Sequence, residues 1–165
     1  MTVRSRMTSN PYTISPDATI AEALEIMRKN NIRRLPVVKN RKLVGIVTER
    51  EMQEVSPSKA TTLSVFELNY LLSKTKVSTV MTRDVITVSP DSLLEEAAIL
   101  LRDNRVGALP VIQDGAVVGI ITETNIFDAF IDLLGFRDSG TRISVEVEDS
   151  PGILANVANV IKGFG

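Results

Sequence analysis

The chemistry open to this chain is bounded first by what it lacks. Its 165 residues include no cysteine and no histidine. Thiol nucleophiles, disulfides, zinc–thiolate sites and Cys–His or Ser–His catalysis are therefore excluded, along with the commonest general base and metal ligand. No Gly-x-Gly-x-x-Gly and no Walker-type loop occurs. Catalysis by carboxylates alone is open in principle through Glu49, Glu51 or Glu123, but nothing in the sequence groups them. What remains is a pair of threonine-led segments, "GIVTERE" (Gly45 to Glu51) and "GIITETN" (Gly119 to Asn125). Thr48 and Thr122 each stand where an apolar run gives way to charge, the pattern of a strand ending and a helix beginning. Free backbone N–H groups, a partial positive charge and a hydroxyl coincide there, which suits a phosphate. Thr48 with Glu51 equally spells a plain Thr-x-x-Glu capping box, and one site can serve both ends. Gly45 and Gly119 permit close approach of a ligand or a facing strand.

The elements that must position these residues follow from repetition. The second segment lies 74 positions after the first, and the same offset places Met7-Thr8 on Met81-Thr82, "TISPD" on "TVSPD", and "LPVV" on "LPVI". Four matches in one register mark an internal repeat. In each copy a short extended piece ends at Ser-Pro-Asp. A helix follows, with Ile20, Ala23, Leu24 and Met27, or Leu94, Ala97, Ala98 and Leu101, on its apolar stripe. Thr19 with Glu22, and Ser92 with Glu95, are capping-box candidates. Two strands come next, "RLPVV" then "KLVGIVT", or "ALPVI" then "AVVGIIT", joined by "KNRK" or by "QDGA" with its Asp114-Gly115 hairpin signal. A second helix starts after Thr48 or Thr122. The order is β-α-β-β-α. One copy of roughly 50 residues would bury too little core alone, whereas two copies packed sheet to sheet would suffice. Boundaries are expected at 3–55 and 77–137 for the copies and 56–76 for a linker. The linker's "LSVFELNYLLSK" reads as a short helix with Val65, Phe66, Leu68 and Leu72 on its apolar side, either a connector packing on its own module or a docking helix.

Composition narrows the class further. Hydrophobic residues make up 44% but aromatics only 4%, so aliphatic side chains must build the core, and the net charge of −1 argues against nucleic acid. No apolar run approaches the ~18 residues of a membrane helix, and "MTVRSRMTSN" lacks a signal-peptide core, so a cytoplasmic location is expected.

The paired "SPD", "LPVV" and "GIVTE" elements resemble a CBS-domain pair, the Bateman module, from Val3 to about Phe136. The resemblance implies an α/β (α+β) fold of two pseudo-twofold-related β-α-β-β-α units. It also implies clefts that bind adenosine-containing ligands (AMP, ADP or ATP, with NAD or S-adenosylmethionine in some members). Such a module senses and regulates without catalysing, needs no cofactor beyond that ligand, and commonly forms homodimers. An apolar helix carrying Phe127, Phe130, Ile131 and Leu134 suits such pairing. The family places an Asp three residues after each threonine to hold a ribose; here Glu51 is one methylene longer and Asn125 is uncharged. By the family pattern Arg33 and Arg34 border a cleft and meet phosphates. A solvated charge pair at a strand start is the plainer reading of the same residues. Gly107 and Ala108 would leave room for a purine, Thr13-Ile14 and Thr87-Val88 would present main chain to adenine, and Ile32 and Val106 would wall the ring. One cleft would gather Arg33, Arg34, Thr48 and Glu51 with Thr87, Val88, Val106, Gly107 and Ala108. The other would gather Thr122 and Asn125 with Thr13, Ile14 and Ile32. The alternative function is an interaction or dimerisation scaffold with degenerate, empty clefts.

Residues 142–165, "RISVEVEDSPGILANVANVIKGFG", alternate Ile143, Val145 and Val147 as a strand does. They then turn at Asp149-Ser150-Pro151-Gly152 into a helix with Ile153, Leu154, Val157, Val160 and Ile161 as its stripe. Asp149, Pro151, Gly152 and Leu154 resemble the opening of an ACT domain, and one strand with one helix would be only a fragment of that fold. CBS-CBS-ACT in this order is similar to the acetoin-utilisation accessory family of AcuB type.

Overall fold

In the computed structural model, which describes residues 1–55, 64–135 and 144–163, helix α1 (Ile20–Asn30) opens on the expected capping box. The Thr19 N–H donates to the Glu22 carboxylate at 2.7 Å, and the Glu22 N–H donates to the Thr19 hydroxyl at 3.2 Å. The hairpin of β2 (Arg34–Lys39) and β3 (Lys42–Thr48) comes next, turning through Asn40 and Arg41 with positive φ. Helix α2 spans Glu49–Val55 and α3 Val65–Lys74. The second copy repeats the order with α4 (Leu94–Asp103), β4 (Ala108–Gln113), β5 (Ala116–Thr122) and α5 (Glu123–Leu133). Both hairpins carry an irregularity at the same place, after Val37↔Gly45 and after Val111↔Gly119. Alternation along the strands buries Leu35, Val37 and Val47 in one core and Leu109, Val111 and Ile121 in another.

Two sequence expectations need correction here. The cap of α4 is not Ser92 with Glu95. Leu93 stands at that position, and its N–H donates to the Glu96 carboxylate at 3.2 Å. The 74-residue offset carries Thr19 onto Leu93 and Glu22 onto Glu96, so the helix keeps the repeat's register in preference to the better capping residue. In α3, Ser64 and Glu67 form a capping box and Leu72 packs on the first core, but Phe66 is 87% exposed and takes no part in a buried face. The Val65 and Leu68 side chains, and the expected boundaries at residues 56, 137 and 142, lie outside the described residues.

The two copies do not own their cores. Val3 and Met7, at the head of the first copy, pack in the second core, and Val77 and Met81, at the head of the second, pack in the first. The strand β1 (Thr8–Ser9) pairs with β5 through Thr8↔Ile120, and Thr82 pairs with Ile46 through hydrogen bonds of 2.9 Å in both directions. β3 and β5 themselves meet at Lys42↔Ala116. Each copy therefore lends its leading segment to the other, and Met1–Leu134 forms one unit.

Residues Gly135–Gly165 form a second unit. Its described part holds the helix α6 (Ile153–Lys162), preceded by Gly152 at φ 86°. The expected strand is not formed: residues 144–150 carry no regular structure, and Val145 and Val147 are exposed. A single strand without a pairing partner has nothing to hold it extended. Ile143 lies outside the described residues.

Candidate functional site

A cavity of about 420 Å³ lies between the two copies. The antiparallel register puts Arg34 beside Thr48, so the start of β2 and the end of β3 present their side chains together. From the second copy come Thr82, Asp84, Val85 and Ile86 and residues Arg105–Ala108. Gly107 matters sterically. A Cβ there would collide with the Arg34 guanidinium and approach the Glu123 carboxylate at 3.2 Å. The glycine thus admits Arg34 against the backbone of the opposite copy.

Charge on the cavity wall is unevenly satisfied. Among the described residues, Arg33, Arg34 and Arg105 have no ion-pair partner, while Arg50 pairs with Glu54 at 3.0 Å. Glu49 and Asp84 also line the cavity. Glu51 is committed elsewhere. One carboxylate oxygen accepts from the Thr48 N–H and from the Thr48 hydroxyl, both at 2.8 Å, and the other accepts from the Thr82 hydroxyl at 2.6 Å. Asn125 does the same with its amide oxygen, accepting from the Thr122 N–H at 2.9 Å and hydroxyl at 2.8 Å.

These bonds form the capping arrangement expected at Thr48 and, with an amide in place of the carboxylate, at Thr122. Their N–H groups are capped from within the helix, and the Glu49 N–H donates to the Arg33 carbonyl at 3.0 Å. The spare positive charge in this cavity belongs to guanidinium groups instead.

Of the residues expected in the first cleft, Arg33, Arg34, Thr48, Glu51, Val106, Gly107 and Ala108 line this cavity. Val88 does not: it is buried in the second core, its N–H donates to the Pro110 carbonyl at 3.1 Å, and its carbonyl accepts from Ile112 at 3.0 Å. Thr87 lines a different cavity, and Val85 and Ile86 stand where the Thr87-Val88 pair was expected. Ile14 repeats the situation of Val88, buried and bonded to Pro36 and Val38, so its main chain cannot face a ligand. Ile32 packs against the first core, and Thr13 is exposed beside Ile14. The second expected cleft thus loses its Ile14 contact, and Thr122 and Asn125 remain as a capped helix start.

Sequence reasoning missed Arg105, Asp84, Val85 and Ile86. Arg105 could have been found, since it breaks the repeat by replacing Asn31 with a cation two residues before Gly107. Asp84, Val85 and Ile86 could not, because their place depends on the exchanged leading segments. No group of acidic residues able to hold a metal ion occurs among the described residues.

The chain matches the CBS domain family over residues 3–57 and 77–132. It is 40% identical to an inosine-5'-monophosphate dehydrogenase of Thermoplasma acidophilum over 92% of this chain, which spans only 28% of that enzyme. A CBS domain-containing protein of Dictyostelium discoideum is 34% identical over 80% of this chain and 92% of its own length. Among solved structures, a Vibrio cholerae protein named for acetoin utilization (AcuB) superposes with a TM-score of 0.69 at 31% identity, covering 86% of this chain and 98% of that one. CBSX2 in complex with AMP gives 0.68 at 27% identity, covering 80% and 97%. The CBS domain pair of protein MJ0100, in complex with 5'-methylthioadenosine and S-adenosyl-L-methionine, gives 0.67 at 29%, covering 81% and 98%.

Proposed function

The chain belongs to the CBS-domain family and carries the domain twice, and on that premise we propose that it is a regulatory module sensing an adenosine-containing nucleotide rather than an enzyme. The observation that carries this reading is the cavity between the copies, where Arg33, Arg34 and Arg105 stand without ion-pair partners among the described residues. Its volume of about 420 Å³ falls in the range of small-molecule sites, about 300–1,000 Å³. Relatives of the same fold hold AMP, or 5'-methylthioadenosine and S-adenosyl-L-methionine. Phosphate would meet the arginines, and the base would lie along Val85, Ile86, Val106 and Gly107. The module acts as a homodimer in this reading, with the exposed Phe127, Phe130 and Leu133 of α5 as the face to be covered. The Asp149-Ser150-Pro151-Gly152 turn and α6 support an ACT-like fragment, and the AcuB neighbour supports a role in that family.

One observation favours the scaffold reading instead. Glu51, the counterpart of the family's ribose-holding carboxylate, already serves Thr48 and Thr82. Calorimetry separates the two. AMP, ADP and ATP are expected to bind, and Arg33→Ala with Arg34→Ala is expected to weaken AMP about tenfold while leaving adenosine nearly unchanged, as loss of one charge-assisted contact implies. Equal losses for adenosine and AMP would remove the arginines from the phosphate site, and no binding of any adenine compound at saturating concentration would leave the scaffold.

A further inference from the structure

The segment Thr82–Thr87 is a wall between two cavities. Thr82, Asp84 and Ile86 line the cavity described above, while Arg83 and Thr87 line a second one of about 330 Å³, with Val85 touching both. The far side of the second cavity is the first half of β3, from Lys42 to Gly45, closed by Ile112 and Gly115 of the other hairpin. Its lining holds two cations, Lys42 and Arg83, and no acidic residue.

The first hairpin concentrates further positive charge at this place, against local preference. Lys39 lies directly opposite Lys42 in the β2–β3 register, and like charges so placed repel. Arg41 occupies a left-handed position at φ 66°, which costs a side-chain-bearing residue and which the second hairpin gives to Gly115. Lys39, Arg41 and Lys42 correspond to Gln113, Gly115 and Ala116, and Arg83 corresponds to Ser9. The cations are therefore particular to one end of a pseudo-symmetric molecule. Lys39 lies near Asp17 and lowers its pKa, though less than Lys76 does. Among the described residues Lys42 and Arg83 have no ion-pair partner, and Arg83 donates one Nη to the Ser78 carbonyl at 3.0 Å.

We propose that this second cavity is a binding site for a small phosphorylated metabolite, separate from the Arg33–Arg34 cavity. A compact ammonium, a planar guanidinium and the Thr87 hydroxyl around one opening supply the donors that a doubly charged phosphate group uses. A concave opening of about 330 Å³ with donors on two sides suits a small molecule.

Pyrophosphate serves as the probe, titrated into the whole chain at constant ionic strength and followed by amide chemical shifts. Saturable shifts are expected at Lys42, Gly45, Arg83, Thr87 and Gly115. Lys42→Met with Arg83→Met is expected to weaken this binding about tenfold or more. Both residues are exposed, and an unchanged melting temperature confirms that the variant folds. Two comparisons keep the result specific: Arg33→Ala with Arg34→Ala leaves these shifts in place, and Arg28→Met with Lys29→Met removes equal charge from the surface of α1 without effect. The proposal is overturned if the shifts are not saturable, if they centre on Arg33 and Arg34, or if the charge-matched α1 variant loses as much affinity. Since the readout is local to the Lys42 cavity, failure here leaves the nucleotide reading standing, and failure of that reading leaves this one.

Discussion

At the scale of single residues, glycine and glutamate answer most directly to their surroundings. Gly45 and Gly119 both face the exchanged leading segments, and Gly45 also lines the second cavity. A Cβ on Gly45 would meet the Met81 sulfur at 2.6 Å and the Thr82 carbonyl at 3.0 Å, and one on Gly119 would meet the Met7 sulfur and the Thr8 carbonyl at 3.2 Å. The methionine can swing aside but the paired backbone cannot. Gly45→Ala is expected to cost about 1–3 kcal/mol, the usual range for overpacking. Chemical denaturation would show it, and Met81→Ala in the same chain should recover only part. Glu51 gives a second test. Asn125 shows that an amide oxygen accepts the same two bonds from Thr122 that Glu51 accepts from Thr48. Glu51→Gln should therefore lie within about 0.5 kcal/mol of wild type, whereas Glu51→Ala should lose about 1–2 kcal/mol with the cap. Equal losses in the two variants would mean that charge, not geometry, holds the turn.

Single elements are governed by their ends. The carboxyls of Glu22 and Glu67 are held below the ordinary glutamate range, first by the backbone N–H of Thr19 and Ser64 and then by the hydroxyls of the same residues. A carboxyl whose pKa is lowered on folding contributes stability that is present above its unfolded pKa and lost as pH falls through the folded value. Helices α1 and α3 should therefore loosen in the acid range at and below ordinary glutamate titration. Replacing Glu22 and Glu67 together with Gln should flatten the acid limb of a circular-dichroism titration. A limb of unchanged slope would assign acid sensitivity to other groups, such as Asp17, which the hydrogen bond from Lys76 also holds low.

At the scale of the whole molecule, exchange of the leading segments makes the repeats interdependent. Val3 is wholly buried in the second core and Val77 in the first. Val77→Ala should cost about 2 kcal/mol, near 0.8 kcal/mol for each buried methylene plus a cavity penalty. More telling is the location of damage. A chain lacking residues 1–9 should show its greatest rise in amide exchange at Leu109, Val111 and Ile121, in the copy remote in sequence, and less at Leu35 and Val37. Greater loss at Leu35 and Val37 would contradict the exchanged arrangement.

The 74-residue repeat, the α-β-β-α order of each copy and both hairpins with their turns were legible in the amino-acid sequence alone, and the family resemblance implied the gathering of Arg33, Arg34, Thr48, Glu51 and Gly107; the extended pieces before Ser-Pro-Asp form only single bridges, Ile14 to Val37 and Val88 to Val111. Periodicity, turn chemistry and register are local, and each copy states them independently, so two readings reinforce each other. Only tertiary structure decided that Val88 and Ile14 turn their main chains into β4 and β2, or that Asp84 and Ile86 reach the cavity. It likewise decided that the N-terminal ten residues serve the second core. A pattern of apolar residues says that a segment must be buried but not beneath which sheet, because two pseudo-equivalent sheets offer nearly the same surface. That choice rests on long-range pairing, Thr8 with Ile120 and Thr82 with Ile46, and residues 144–150 show the converse, an alternating apolar pattern that forms no strand.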